Sequence, residues 1–103
     1  METFIMLTRL AAGSLPSPHA LEDVERRVME SIRSECPGIE WLASFAVLGP
    51  ADYVDIFKAP DIDSAIKVAA LVRVYGDAQT EIWPATEWQH FKELVRRLPS
   101  TPG

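Results

Sequence analysis

Cysteine, histidine and glycine are all scarce in this chain, and each shortage removes a class of chemistry. One cysteine, Cys36, in 103 residues cannot form an internal disulfide or build a zinc site by itself. It stands before Pro37-Gly38 at an expected helix end, where it reads as a small packing residue. The sharper alternative, a reactive thiol, lacks a nearby histidine in sequence to lower its pKa. The two histidines, His19 and His90, have no metal-ligand spacing between them. Five glycines form neither a phosphate-cradling loop nor a Gly-x-Ser-x-Gly nucleophile turn. Haem and flavin motifs are also absent, so no cofactor and no metal is expected.

Long apolar runs and excess positive charge are missing as well. No stretch approaches the roughly 20 residues of a membrane span. Met1-Glu2-Thr3-Phe4 has an acid where an export signal carries positive charge, so a cytoplasmic location is the expectation. Ten basic residues against fifteen acidic give a net charge of −5. The basic residues cluster no further than Arg26-Arg27 and Arg96-Arg97, so nucleic-acid phosphates would meet net repulsion.

What is present is core-forming material: 48% of the residues are hydrophobic, enough for one domain of close to modal size. That domain is expected over residues 1–98, with 99–103 a frayed tail. Phe4 to Leu10 reads as a strand apolar on both faces. Ala11 to Pro18 reads as a loop ending in Ser17-Pro18, a helix cap followed by proline at the first helical position. Leu21, Val24, Val28 and Ile32 then step at helical spacing beside a charged face, and Cys36-Pro37-Gly38 closes the helix.

Ile39 to Leu48 is a second strand, Gly49-Pro50-Ala51-Asp52 a turn, and Tyr53 to Ala59 a third strand with Tyr53, Asp55 and Phe57 on one side and Val54 and Ile56 on the other. Pro60-Asp61 opens a second helix, capped by Asp61 or Asp63 and stopped by Gly76. Its apolar stripe, Ile62, Ala65, Ile66, Ala69 and Val72, is widened by Val68, Leu71 and Tyr75. Either a tightly enclosed helix or contact with another chain accounts for that excess. Ala78 to Pro84 is a last strand, ending or lying at an edge because Pro84 has no N–H to donate. Thr86 is the expected cap of a third helix with Trp88, Phe91, Val95 and Leu98 on one stripe.

Strand, helix, strand, strand, helix, strand, helix is an α+β order. It predicts the ferredoxin-like βαββαβ antiparallel sheet with helices on one face, plus a C-terminal helix. Because the strands are apolar on both faces, the face without helices requires another cover. A second copy packing sheet to sheet is the economical one, with Tyr53, Asp55 and Phe57 expected on that face.

Leu48-Gly49-Pro50-Ala51-Asp52-Tyr53-Val54-Asp55-Ile56-Phe57-Lys58-Ala59-Pro60-Asp61 resembles the signature of the GYD domain family. The similarity extends through Met6-Leu7-Thr8, Glu35-Cys36-Pro37-Gly38 and Thr80-Glu81-Ile82-Trp83-Pro84-Ala85-Thr86. Gly49 and Asp52 match the naming motif, whereas Ala51 stands where the family's tyrosine would be. The resemblance implies a dimeric α/β barrel and no specific activity, the family being of unknown function.

Asp55 is the ionisable residue that stands out. A carboxylate in the middle of an apolar strand has its pKa raised by desolvation and suits general acid or base work in a cavity. The plainer alternative pairs it with an arginine such as Arg9 or Arg73, or hydrogen-bonds it to a neighbouring strand residue. Asp52 reads as a turn residue that hydrogen-bonds to hold the hairpin. His90 is a second candidate proton carrier, and Glu87, His90 and Glu93 share a face at three-residue spacing. Tyr53, Phe57, Trp41 and Trp83 are candidate ligand-binding residues, with core or interface packing as the alternative.

Three functions follow. One is a homo-oligomeric domain, a dimer or larger, that holds a small apolar ligand between subunits or acts by assembly alone. A second is an enzyme resembling cofactor-free monooxygenases or isomerases of the same barrel class, with Asp55 or His90 shuttling a proton. RNA stacking on Tyr53 and Phe57 is disfavoured by Asp55 between them and by the net charge.

Overall fold

A computed structural model describes residues 1–11 and 17–100 of the chain. The expected loop over 11–18 falls mostly on 12–16, and the tip of the tail on 101–103; both lie outside the described residues. The elements run β1 (Glu2–Leu10), α1 (Pro18–Glu35), β2 (Glu40–Ala46), β3 (Tyr53–Ala59), α2 (Ile62–Gly76), β4 (Ala78–Ala85) and α3 (Trp88–Arg96). The four strands form one antiparallel sheet in the order β2-β3-β1-β4, the ferredoxin-like arrangement.

Local chemistry sets most boundaries. The Ser17 hydroxyl accepts the Ala20 N–H at 3.1 Å, with Pro18 at the first helical position of α1. At α2 the cap is Asp61, whose carboxylate accepts the Ser64 N–H at 2.8 Å and is held below its ordinary pKa by that bond. Gly76 does not end α2 by taking the left-handed conformation. It closes the last turn, and Asp77 adopts φ 48° in its place. An aspartate tolerates that region better than most side chains because its short polar group can bond locally. Thr86 is not the cap of α3: Glu87 holds that position, without a side-chain capping bond. β2 is shorter than its apolar run and carries a register shift between Trp41 and Ala43, a bulge that leaves Leu42 unpaired with β3.

Register decides which strand face is buried. Phe4 lies opposite Phe57, Met6 opposite Asp55, and Thr8 opposite Tyr53, so Tyr53, Asp55 and Phe57 share the helix-covered face with Phe4 and Met6. This reverses the expectation from the sequence. Both faces of β3 are apolar enough to be buried, and only cross-strand pairing distinguishes them. Phe57, fully buried, stacks on Phe4 with centroids 5.9 Å apart and on Trp41 at 5.2 Å. Val28, Ile32, Ala65, Val68 and Val72 of the two helices close over this group. The opposite face presents Ile5, Leu7, Phe45, Val54, Ile56 and Trp83 and has no cover among the described residues.

The two covering helices are not equivalent. α2 approaches β1, β3 and β4, whereas no Cα of α1 comes within 8 Å of a strand. The second half of α1 is sealed through Val28 and Ile32, while Leu21 and Val24 in its first half are only partly buried. A hollow is left beneath that first half. On α2 the buried residues are Ala65, Val68, Ala69 and Val72, and Ile62, Ile66 and Tyr75 of the widened stripe stand exposed.

Candidate functional site

The hollow between α1 and the sheet is a cavity of about 450 Å³. Its walls are mostly apolar: Met6 from β1, Val24, Val28 and Met29 from α1, Trp41 from β2 and Val72 from α2. Against that background four polar side chains gather on neighbouring strands. Thr8 and Tyr53 are register partners on β1 and β3, and Asp55 and Ser44 are partners on β3 and β2. Glu25 reaches in from α1, and among the described residues no basic side chain lines the space.

Each polar group has a definite condition. Burial pushes the Asp55 carboxyl above its ordinary value; a hydrogen bond from Ser44 pulls the other way, and the Glu25 carboxylate adds to the rise. Neither Arg9 nor Arg73 pairs with Asp55. Arg9 lies 3.7 Å from Glu81, and Arg73 donates to the Thr80 hydroxyl at 2.8 Å and the Thr80 carbonyl at 2.7 Å. Among the described residues, Asp55 has no ion-pair partner. Burial also raises the Tyr53 phenol, helped by the charges of Asp52 and Glu25, so the phenol stays protonated and able to donate. Ser44 is held in place by the Trp41 indole N–H, which donates to its oxygen at 2.8 Å. Thr8, 4% exposed, has a buried hydroxyl with no hydrogen-bond partner among the described residues. Its neighbour across the strand, Thr80, is already engaged by Arg73. A buried hydroxyl without a partner is uncommon and costs stability, which marks the cavity wall as chemically incomplete.

The candidate residues named from sequence therefore divide. Asp55, Tyr53 and Trp41 meet at the cavity. Phe57 lies in the core, with no surface on the cavity. Trp83 is half exposed on the other face of the sheet, opposite Ile5. His90 sits on α3, away from every other helix and strand, with its imidazole 3.8 Å from Glu93. Among the described residues no three metal-ligating side chains gather, at Glu87, His90 and Glu93 or elsewhere. Sequence reasoning missed Thr8, Ser44 and Glu25. For Thr8 a signal existed, since it is the one polar member of the Phe4, Met6, Thr8 alternation.

Asp52 holds the hairpin, but through a different partner from a simple turn. Its carboxylate accepts the Leu10 N–H at 2.8 Å and its own N–H donates to the Thr8 carbonyl at 2.8 Å, tying the β2–β3 turn to the end of β1. Ala51, in place of the motif tyrosine, is buried beside that tie. Cys36 is also buried, and burial raises its pKa although Lys67 acts to lower it, so the thiol is a packing group.

This architecture, an antiparallel ferredoxin-like sheet with helices on one face, recurs in solved structures. A leucine response regulatory protein, LrpA, from Mycobacterium tuberculosis superposes with a TM-score of 0.57 at 13% identity, over 84% of this chain and 51% of that one. This chain thus spans about half the length of LrpA. Protein Atu4242 from Agrobacterium tumefaciens superposes with a TM-score of 0.51 at 21% identity, over 85% and 96% of the two chains. A second structure of Atu4242, described as a nipsnap family protein with unknown function, gives 0.50 at 20% identity over 84% and 90%. At these identities the likeness is one of fold. No curated protein matches the sequence. Residues 4–95 match the GYD domain, and the chain belongs to that family.

Proposed function

We propose that this GYD-family chain is a homo-oligomeric domain that binds a small, mainly apolar molecule in the cavity beneath α1. The observation that carries this reading is the gathering of Asp55, Tyr53 and the partnerless Thr8 hydroxyl on one wall of an otherwise apolar space. An apolar pocket with a few convergent polar groups and a perturbed carboxyl is the common form of a ligand site. Two carboxylates and no basic residue among the described lining residues disfavour an anion. The ligand class that fits has an apolar body and a neutral or cationic head that donates a hydrogen bond. The site lies within one chain, beneath its own helix, rather than between subunits.

Self-association is supported by the uncovered sheet face, whose apolar residues would otherwise stay in water. Native mass spectrometry of freshly purified protein reports both stoichiometry and any retained small molecule. As a probe, 2-naphthol should quench Trp41 and bind the parent well above Val28→Trp, which fills the cavity, while 2-naphthoate should bind neither. Equal binding of naphthol to parent and filled variant would remove the cavity from the reading.

A second reading, proton transfer, is favoured by one specific observation: Asp55 has a raised pKa and no basic partner. An isomerase-type step needs no cofactor. The Asp55 carboxylate takes a proton from the carbon beside a carbonyl, and the resulting acid returns it elsewhere on the same enolate. Enolisation of 2-acetylcyclohexanone, followed by ultraviolet absorbance, should be faster with parent than with Asp55→Asn. Equal rates would leave binding without catalysis.

A further inference from the structure

α3 is the element that the site does not use and the fold does not hold. Among the described residues no Cα of its nine residues comes within 8 Å of another helix or strand, and Trp88, at 70% exposed, Phe91, Leu94 and Val95 stand in solvent along it, as does Leu98 just beyond it. Only Thr86 and Glu87 join it to β4, and they carry it outward, so the molecule is 59 Å long with a radius of gyration of 16.5 Å. A compact chain of about 100 residues has a radius nearer 13 Å. Isolated helices shorter than about 12 residues are marginal in water, and this one also lacks a side-chain cap bond. A helix so short, uncapped and apolar along one side needs a surface to lie on.

We infer that α3 is an arm that clasps a second copy of this chain, packing its Trp88–Phe91–Val95 stripe on the β2 edge of the partner's sheet. This rests on the homo-oligomer reading above and adds to it the element that completes the interface. When two such sheets pack face to face about a two-fold axis running along the strands, β4 of one copy lies over β2 of the other. Each arm, which continues from β4, is thereby delivered to the partner's β2. That edge offers the same kind of surface: Leu42 is 47% exposed at the bulge and Phe45 55%.

Area points the same way. Four strands about 4.8 Å apart and about seven residues long present a face of roughly 440 Å² in projection. A stable interface covers about 800 Å² per partner. A nine-residue helix about 14 Å long, given by each copy and received from the other, contributes about 280 Å² more per copy and nearly closes the gap. Charge is complementary as well: residues 87–103 hold three of the ten basic and two of the fifteen acidic residues, so the arm carries +1 and the remainder −6.

Sedimentation velocity on the full chain at micromolar concentration, for the parent, Trp88→Glu with Phe91→Glu, and Trp83→Glu, tests the inference. The parent should be a dimer, and the double arm variant should dissociate at concentrations at least 100-fold higher than the parent does, with unchanged circular dichroism from the sheet. In a Cys36→Ser background, Phe91→Cys with Leu42→Cys should oxidise to a disulfide-linked dimer. A parent that is monomeric overturns the homo-oligomer reading itself. A dimer that Trp83→Glu dissociates and the arm variant does not leaves that reading standing and overturns the arm. A cross-link within one chain, or an arm that binds anionic vesicles while the protein stays monomeric, overturns it too.

Discussion

Phe57→Ala separates the two faces of β3. Phe57 is fully buried, stacked between Phe4 and Trp41 and closed over by the core residues of α1 and α2. Truncating a buried phenylalanine costs about 3–5 kcal/mol, and the two stacked rings favour the upper end. A domain of this size has about 5–15 kcal/mol in all, so the variant loses a third or more of its stability. In urea, where stability falls by about 1–3 kcal/mol per molar, the unfolding midpoint should drop by about 2 M. The comparison variant is Trp83→Ala, which removes a still larger ring from the uncovered face at 50% exposure. At concentrations dilute enough to keep the protein monomeric it should cost under about 1 kcal/mol. Its effect should grow with protein concentration, while that of Phe57→Ala should not. Tryptophan fluorescence and circular dichroism across urea, at two protein concentrations, read both quantities. If Phe57→Ala costs under about 1 kcal/mol in dilute protein and Trp83→Ala costs more, the assignment of the buried face is wrong.

The remaining expectations concern the polar groups. Because burial raises the Asp55 pKa above the ordinary 3.8, its ionised form is the costly one: its favourable contribution is full below about pH 3.8 and is lost as pH rises through the folded value. Asp55→Asn should therefore match the parent in acid and exceed it in thermal midpoint at neutral pH; a variant less stable at pH 7 than at pH 4, relative to parent, would refute the sign. Thr8→Val replaces a buried, partnerless hydroxyl with a methyl of the same shape, and should raise stability by about 1 kcal/mol while weakening 2-naphthol binding. Asp52→Ala removes a charged acceptor from the Leu10 N–H and should cost about 1–2 kcal/mol in urea unfolding, with Asp52→Asn recovering part of it. Cys36 should resist thiol reagents in native buffer and react only on unfolding, as a colorimetric thiol assay would register.

Much of the fold was legible because its punctuation is local. Ser17-Pro18 and Asp61 each place a cap through a bond spanning three residues, and β3 begins and ends where its turn and its proline dictate. The face of β3 was not legible, since Tyr53-Asp55-Phe57 and Val54-Ile56 are both apolar enough to be buried. The choice rests on pairing with Phe4 and Met6, about 50 residues earlier in the chain. Asp55 could be picked out as a charge in an apolar strand, but not its cavity. That space exists because α1 stands off the sheet while α2 does not, a difference in helix placement that no single residue encodes. For α3, a stripe of Trp88, Phe91 and Val95 reads the same whether the helix packs on its own chain or on another.

The sheet order has a consequence for how the chain is made. Of the four described strands β1 leaves the ribosome before the others, and both of its neighbours, β3 and β4, come later; the nearer begins at Tyr53. At about 5–20 residues per second, a strand apolar on both faces waits several seconds for its first partner. Its pairings are also long in sequence, which slows closure once synthesis ends. During that interval Phe4 to Leu7 is open to any chaperone, or to the same strand of a neighbouring nascent chain. The central position that makes β1 the best-protected strand of the finished protein makes it the most vulnerable one during synthesis.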